Sequence, residues 1–268
     1  MPHPHIPPPP KTGTVSCVGY FADASDTVGL LNFVIDGALR TDYTAHVATK
    51  ALAGIKLEAG MNPVELARKE PGKATLGLRR HAQRLLELCL SRLVDGFQSY
   101  VVSLLREILA KDPRILKSSQ PTLSLEYAFA FGSIEELVTD VVETKVGDLS
   151  YQGFEKLKAW CAEREIILAV EPEDAALLAD FIATRNVIAH NRGLVDRKYL
   201  RAVPTSTLPI GSQRTLHSDD VFEAFALLNR VVAASDDAAS VKFGLTRSQL
   251  SVGSDAPSPT SPPETPSS

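Results

Sequence analysis

Arg185, Asn186 and His190 lie close together in the segment RNVIAHN at 185–191. Cleavage of RNA without a metal requires a base for the 2′-hydroxyl, an acid for the leaving 5′-oxygen and a cation for the charge that grows on the phosphorane. Histidine can serve as base or acid near neutral pH, and arginine presents a planar, permanently charged fork to phosphate oxygens. These residue types indicate phosphodiester chemistry, in which Asn186 would orient His190 or a phosphate.

The spacing places these side chains on different parts of a helix surface. The apolar pattern before Arg185 predicts a helix that ends at about His190 or Asn191. Asn186 and His190 are four residues apart and share a face, whereas Arg185 and His190 differ in direction by about 140° on an ideal helix. Three solutions remain open: the long arginine side chain wraps round, the helix end unwinds near Asn191, or a second copy of the chain supplies the missing group.

The segment 185–201 is locally basic. It contains five lysine and arginine residues and one acid, whereas the whole chain has a net charge of −4. Such a segment would attract a polyanion. An ordinary solvated loop beside a capped helix end has the same composition. The candidate substrate-binding residues here are Asn191, Arg192, Arg197 and Lys198.

Several familiar enzyme and membrane signals are missing from the sequence. It has no glycine-rich phosphate loop, no Gly-x-Ser-x-Gly elbow and no His-Glu-x-x-His motif. Cys17, Cys89 and Cys161 are widely spaced and match no zinc pattern, so we expect reduced, buried thiols and no metal or other cofactor. No apolar run has the length of a membrane span, and no signal-peptide pattern is present, so we expect a cytoplasmic protein that does not insert into membranes.

The remaining pattern predicts an all-α protein. Alanine and leucine are abundant and aromatic residues make up 6% of the chain, a mixture that favours helices. Pro-rich residues 1–13 and Ser/Pro/Thr-rich residues 246–268 are predicted to be disordered. Between them we predict an N-terminal helical extension at 14–73 and the main helical domain at 74–245.

Helical periodicity runs through most of this folded part. The longest predicted helix covers 74–111, as one helix or as two joined near Gly96. Ser133 and Glu136 predict a capping box at the start of another helix. Gly193 is predicted to stop the helix that carries the site. Further helices are predicted at about 25–60, 151–164, 172–191 and 218–233.

One apolar stripe within 74–111 steps by three and four residues along a single helix face. A stripe of this kind is most often buried, so it is predicted to form the core. Its members are Leu86, Leu90, Leu93, Phe97, Val101, Leu104 and Ile108.

Four stretches of the chain resemble the HEPN superfamily (higher eukaryotes and prokaryotes nucleotide-binding domain). The segment RNVIAH at 185–190 looks like its Arg-x(4–6)-His motif. The continuation NRGLVDRKYL at 191–200 resembles that of many bacterial members, of the RiboL-PSP-HEPN-like kind. FGSIEEL at 131–137 and the helix through 97–100 resemble them too, so that the similarity covers about residues 80–235.

This resemblance implies an HEPN-like bundle of about four to five helices. It implies a metal-independent endoribonuclease in which Arg185 and His190 are catalytic and Asn186 supports them. In the family, the active cleft commonly forms where two protomers pair, so RNA and a second copy of the chain are the expected partners. Many members are toxins or phage-defence effectors, which adds an antitoxin or regulatory protein. One toxin subgroup, paired with a nucleotidyltransferase, has a tyrosine where this chain has Arg192, and that departure disfavours such a pairing.

Three hypotheses therefore remain at the level of sequence. The first is a ribonuclease of stress or phage defence. The second is a non-catalytic HEPN module that binds RNA, a nucleotide or a protein partner. The third is a helical interaction protein in which Arg185 and His190 cap a helix and do nothing else.

Overall fold

A computed structural model of the chain describes residues 8–56, 61–116, 123–151 and 153–250. Within these ranges the prediction of a mostly helical protein is confirmed, because helices form nearly all the regular structure. The disorder predicted for the chain ends falls largely on 1–7 and 251–268, which lie outside the described residues. No helix in the described part is long and apolar enough to cross a membrane.

The helices and strands follow one another along the chain, with the longest described connections between α6 and α7 and between α8 and α9. A 3₁₀ turn at Pro113–Leu116 follows the third helix. The elements are β1 Thr12–Gly13, α1 Val15–Leu52, α2 Pro63–Lys69, α3 Lys73–Lys111, α4 Leu125–Phe129, α5 Ile134–Tyr151, α6 Phe154–Glu163, α7 Ala175–Asn191, α8 Arg197–Ala202, α9 Ser218–Phe243 and β2 Ser248–Gln249.

Helix α3 is the centre of the fold. It is continuous over 39 residues, without a break at Gly96. The whole apolar stripe predicted as core is buried, and α1, α9, α7 and α5 pack around it. The N-terminal half of α1 lies in the same apolar cluster, through residues such as Phe21 and Leu31. The first half of α1 thus shares the core of the segment that follows it.

The two longest helices, α1 and α3, run antiparallel. Asp23 near the start of α1 pairs with Arg92 in the middle of α3, and Asp42 near the end of α1 contacts the start of α3. Asp42 of α1 caps the N-terminus of α3, because its carboxylate accepts hydrogen bonds from the backbone N–H groups of Ala74 at 3.0 Å and Thr75 at 2.7 Å. These N–H groups have no partner within α3, whose own N-cap is a glycine without a side chain.

The cap makes the fold sensitive to acid. Burial raises the pKa of Asp42, but the hydrogen bonds from the backbone N–H groups of Thr75 and Ala74 outweigh it, so the pKa lies below its ordinary value. A carboxylate whose pKa is lower in the folded state stabilises the fold fully above the unfolded pKa. That contribution is lost as the pH falls through the folded pKa.

We expect the Asp42→Ala variant to lose about 1 kcal/mol of unfolding free energy at pH 7, as for other caps. Its difference from wild type should shrink as the pH falls below the ordinary aspartate pKa of about 4. Urea unfolding followed by circular dichroism between pH 3 and pH 7 measures both. Asp36→Ala is the control, because Asp36 is exposed on the same helix. A difference that does not change with pH would contradict the role assigned to Asp42.

The two short strands fasten the ends of the described chain to each other. β1 and β2 pair antiparallel, and the backbone N–H of Leu250 donates to the carbonyl of Lys11 at 3.0 Å. Thr14 donates from its N–H and its hydroxyl to the buried carboxylate of Asp236 in α9, at 3.1 and 2.6 Å. Ordered structure thus extends further toward both ends than the sequence predicts.

Candidate functional site

Helix α7 carries the Arg185–His190 segment and stays helical through Asn191. Phe181 and Val187 are buried and hold it against the core. It ends at Arg192 and Gly193, which both have a left-handed backbone, with φ of 56° and 77°. The N–H of Gly193 donates to the carbonyl of Val187 at 2.9 Å, which closes the last turn.

Arg185 is held by neighbours on both sides. Its Nε lies 2.6 Å from Oδ1 of Asp95 on α3, and its side chain is only 25% exposed. Its Nη1 donates to Oδ1 of Asn186 at 3.3 Å. Asn186 therefore contacts Arg185 here, and the guanidinium keeps further N–H groups for another acceptor.

His190 lies on the surface near the end of α7. Its side chain is exposed and makes no hydrogen bond or ion pair with another described residue. Asn186, one turn earlier on the same face, is exposed as well. Arg185 and His190 are not in contact. Because α7 does not unwind before Asn191, one protomer does not bring these two side chains together in this conformation.

The candidate substrate-binding residues have different surroundings. Asn191 donates from its side-chain amide to the carbonyl of Leu194 at 2.7 Å, so it stabilises the turn after α7. The side chains of Arg192, Arg197 and Lys198 are exposed. An open depression of about 520 Å³ lies on α8, lined by Arg197, Leu200 and Arg201. The exposed cations thus continue from the end of α7 onto α8.

A carboxylate that the sequence did not single out fixes α8 against α7. Asp180 accepts hydrogen bonds from the hydroxyls of Tyr199 at 2.7 Å and Thr184 at 3.0 Å, and from Nη2 of Arg214 at 3.1 Å. Burial, together with the hydrogen bond to Asp180, raises the pKa of Tyr199, so the phenol stays protonated and donates. This network links α7, α8 and the loop before α9.

A second carboxylate, Glu87 of α3, holds the turn after α7. It is buried and accepts from the side-chain amides of Gln83 at 2.9 Å and Gln213 at 3.2 Å, and from Nη1 of Arg84 at 3.0 Å. A Cβ at Gly193 would lie 3.2 Å from Glu87 Oε1 and 2.4 Å from Gln213 Nε2. The turn therefore lies close to α3, and a side chain at position 193 would displace the end of the Gln213 side chain.

The chain was compared with protein-family models, with curated proteins and with solved structures, and none of them matches it. Within the described ranges, no group of three or more His, Cys, Asp or Glu side chains could hold a metal ion. The candidate site therefore consists of exposed His190 and Asn186, of Arg185 paired with Asp95 on α3, and of the exposed cations on α8 and at the end of α7. The hydrogen bonds of Glu87 and Asp180 fix the elements that carry these residues.

Proposed function

We propose that this protein is a metal-independent endoribonuclease of the HEPN type, acting in the cytoplasm as a toxin or as a phage-defence or stress effector. The observation that carries the proposal is the exposed imidazole of His190 at the end of α7, which has no partner among the described residues and lies beside exposed Arg192, Arg197 and Lys198. A general acid or base must reach a substrate atom, and cations must stand where phosphates pass.

In the proposed reaction, a 2′-hydroxyl loses its proton to His190 and attacks the adjacent phosphorus, while the bond to the 5′-oxygen breaks and that oxygen takes up a proton. Arg185 would bind the non-bridging phosphate oxygens through the N–H groups that Asp95 and Asn186 leave free. In an in-line displacement the attacking and leaving oxygens lie on opposite sides of the phosphorus, so a single imidazole does not reach both. A second protomer, bringing its own Arg185 and His190, would supply the acid and complete the cleft.

The backbone at Arg192 supports a functional role for its side chain. Left-handed backbone costs a residue with a Cβ about 1–2 kcal/mol, and glycine is the usual occupant of this position after a helix. The chain places an arginine there, with φ of 56°, and leaves the side chain exposed. Strained backbone of this kind concentrates at functional sites. A cation that reaches a phosphate would account for it.

Cleavage of total cellular RNA in EDTA tests the proposal. We expect wild type to cut, and we expect the His190→Ala variant to cut at least about 100-fold more slowly, the usual contribution of a general acid or base. His217→Ala is the matched control, because His217 is also exposed and helps its helix start through its backbone N–H. Equal cleavage by wild type and the His190→Ala variant, with circular dichroism showing both folded, would refute the role of His190.

A non-catalytic RNA-binding module is the second candidate. The ion pair between Arg185 and Asp95 favours it, because a carboxylate already offsets part of the charge that catalysis needs. It predicts that wild type binds RNA in EDTA without cutting it and that Arg185→Ala weakens binding. Neither binding nor cutting would leave the interaction protein as the remaining hypothesis.

A further inference from the structure

A second basic segment lies outside the proposed site, in the first part of α3. Residues 73–86 contain Lys73, Arg79, Arg80 and Arg84 and no aspartate or glutamate. The protein as a whole is acidic, so a run of this kind is a local departure from its average charge. Arg79 donates to the carbonyl of Ala67 in α2. The other cations of the segment, Lys73, Arg80 and Arg84, are exposed.

The fold brings this segment next to the turn after α7. Glu87 shares its carboxylate between the two sides: Oε1 lies against Gly193, and Oε2 accepts from Nη1 of Arg84 at 3.0 Å. The Glu87 carboxylate therefore lies between the guanidinium of Arg84 and the turn that contains Arg192. Two basic segments more than a hundred residues apart in sequence meet here and form one surface.

The arginines continue a line along α3 that ends at the proposed catalytic arginine. Arg80, Arg84, Leu88, Ser91 and Asp95 follow one another in steps of three or four residues and therefore share one helix face. Its last member, Asp95, contacts the Nε atom of Arg185. At 1.5 Å per residue, the line from Asp95 to Arg80 is about 22 Å long.

The cations on this line are accessible. Arg84 is 70% exposed, and its one ion-pair partner among the described residues is Glu87. Arg80 is exposed and forms no hydrogen bond or ion pair with another described residue. The two carboxylates nearby are already engaged, since Glu87 is buried among amide donors and Asp95 is paired with Arg185. The face therefore carries a net positive charge toward solvent.

We propose that Arg80 and Arg84 bind backbone phosphates of a single RNA strand, so that the strand runs from Arg185 along the α3 face that also carries Leu88. The inference rests on the proposed function for its ligand, and it names the substrate class more narrowly: a single-stranded segment that extends beyond the cleaved bond. With 3.4 Å between stacked nucleotides of one strand, a track of this length holds about six of them.

Fluorescence anisotropy with 5′-labelled oligouridines of 3 to 12 nucleotides tests the track, in EDTA and in the His190→Ala background so that the probe stays intact. We expect affinity to rise with length up to about six to eight nucleotides. The Arg80→Gln/Arg84→Gln variant should lose this gain. The slope of its log affinity against log salt concentration should be smaller by about 1.4, because each lost phosphate contact lowers the slope by about 0.7. Binding should then be roughly 25-fold weaker at 0.1 M salt.

The matched control is Arg40→Gln/Arg68→Gln, which removes the same charge. Arg40 and Arg68 are 74% and 73% exposed and each has one ion pair within its own helix, as Arg84 has. A control that weakens binding as much as the Arg80→Gln/Arg84→Gln variant would overturn the track, and so would affinity that stops rising at three nucleotides. Cleavage by wild type is scored separately, so a protein that does not cut RNA but shows the length and salt effects keeps the track and loses the catalytic proposal.

Discussion

The Asp180→Ala variant is expected to unfold with a free energy about 2–3 kcal/mol below that of wild type, because it leaves a largely buried guanidinium without its main partner. The side chains of Arg214 and Asp180 are 15% and 20% exposed. Arg214 keeps Asp220 at 3.9 Å, which places the loss at or just below the lower end of the range of about 3–5 kcal/mol for broken buried pairs. Tyr199 and Thr184 lose their acceptor in the same change.

The consequence reaches the proposed RNA surface through α8. Tyr199 is the buried residue of this short helix, and its hydroxyl donates to Asp180. We expect the amides of α8 to lose protection from hydrogen exchange in the Asp180→Ala variant, while those of α3 keep it. Tyr199→Phe, which removes one hydrogen bond and leaves the ion pair, should lower the unfolding free energy by about 1 kcal/mol. Unfolding within 0.5 kcal/mol of wild type for Asp180→Ala would show that the network does not support the fold.

The Gly193→Ala substitution has the second large expected effect, at least about 2 kcal/mol of unfolding free energy. The left-handed backbone there, with φ of 77°, costs a residue with a Cβ about 1–2 kcal/mol. In addition, the new methyl would stand 2.4 Å from Gln213 Nε2, so the Gln213 side chain must move and give up its hydrogen bond to Glu87. Because the same turn presents Arg192 to solvent, RNA binding should weaken along with stability.

Gly211→Ala separates these two causes. Gly211 has a similar φ of 83°, and nothing lies within 4 Å of the Cβ that alanine would add. We expect this control to lose only the backbone contribution of about 1–2 kcal/mol. Thermal and urea unfolding of both variants measures the difference. Equal losses for the two substitutions would show that the contact of Gly193 with Glu87 and Gln213 has no effect on stability.

Local sequence signals predicted much of the helical framework. The apolar stripe of α3 was predicted residue by residue, since burial of one helix face leaves a periodic pattern. Ser133 does accept from the N–H of Glu136 at 3.1 Å, as its spacing predicts. The last helix runs to Phe243, beyond its predicted end at about residue 233. The prediction stopped early because the later turns bury serine and aspartate, which leave no hydrophobic periodicity in the sequence.

Contacts between distant parts of the chain could not be predicted in this way. Asp95 lies 90 positions before Arg185, and Glu87 lies more than a hundred before Gly193. Each is one acidic residue on an amphipathic helix, indistinguishable in sequence from a solvated one. Only the packing of α7 along α3 gives them their partners. The same packing places Arg84 beside the turn, which the composition of 185–201 does not reveal.

The pairing of β1 with β2 brings the two ends of the described chain next to each other. Lys11 and Leu250 are joined by a backbone hydrogen bond of 3.0 Å, and Asp236 ties the start of α1 to α9 beside them. Chains whose ends meet tolerate being rejoined there and reopened elsewhere. A permuted protein, with a short linker that joins the ends beside β1 and β2 and with new ends in the 203–212 loop, would keep its helices. A reporter fused to the new ends would then lie near the proposed RNA surface and no longer beside β1 and β2.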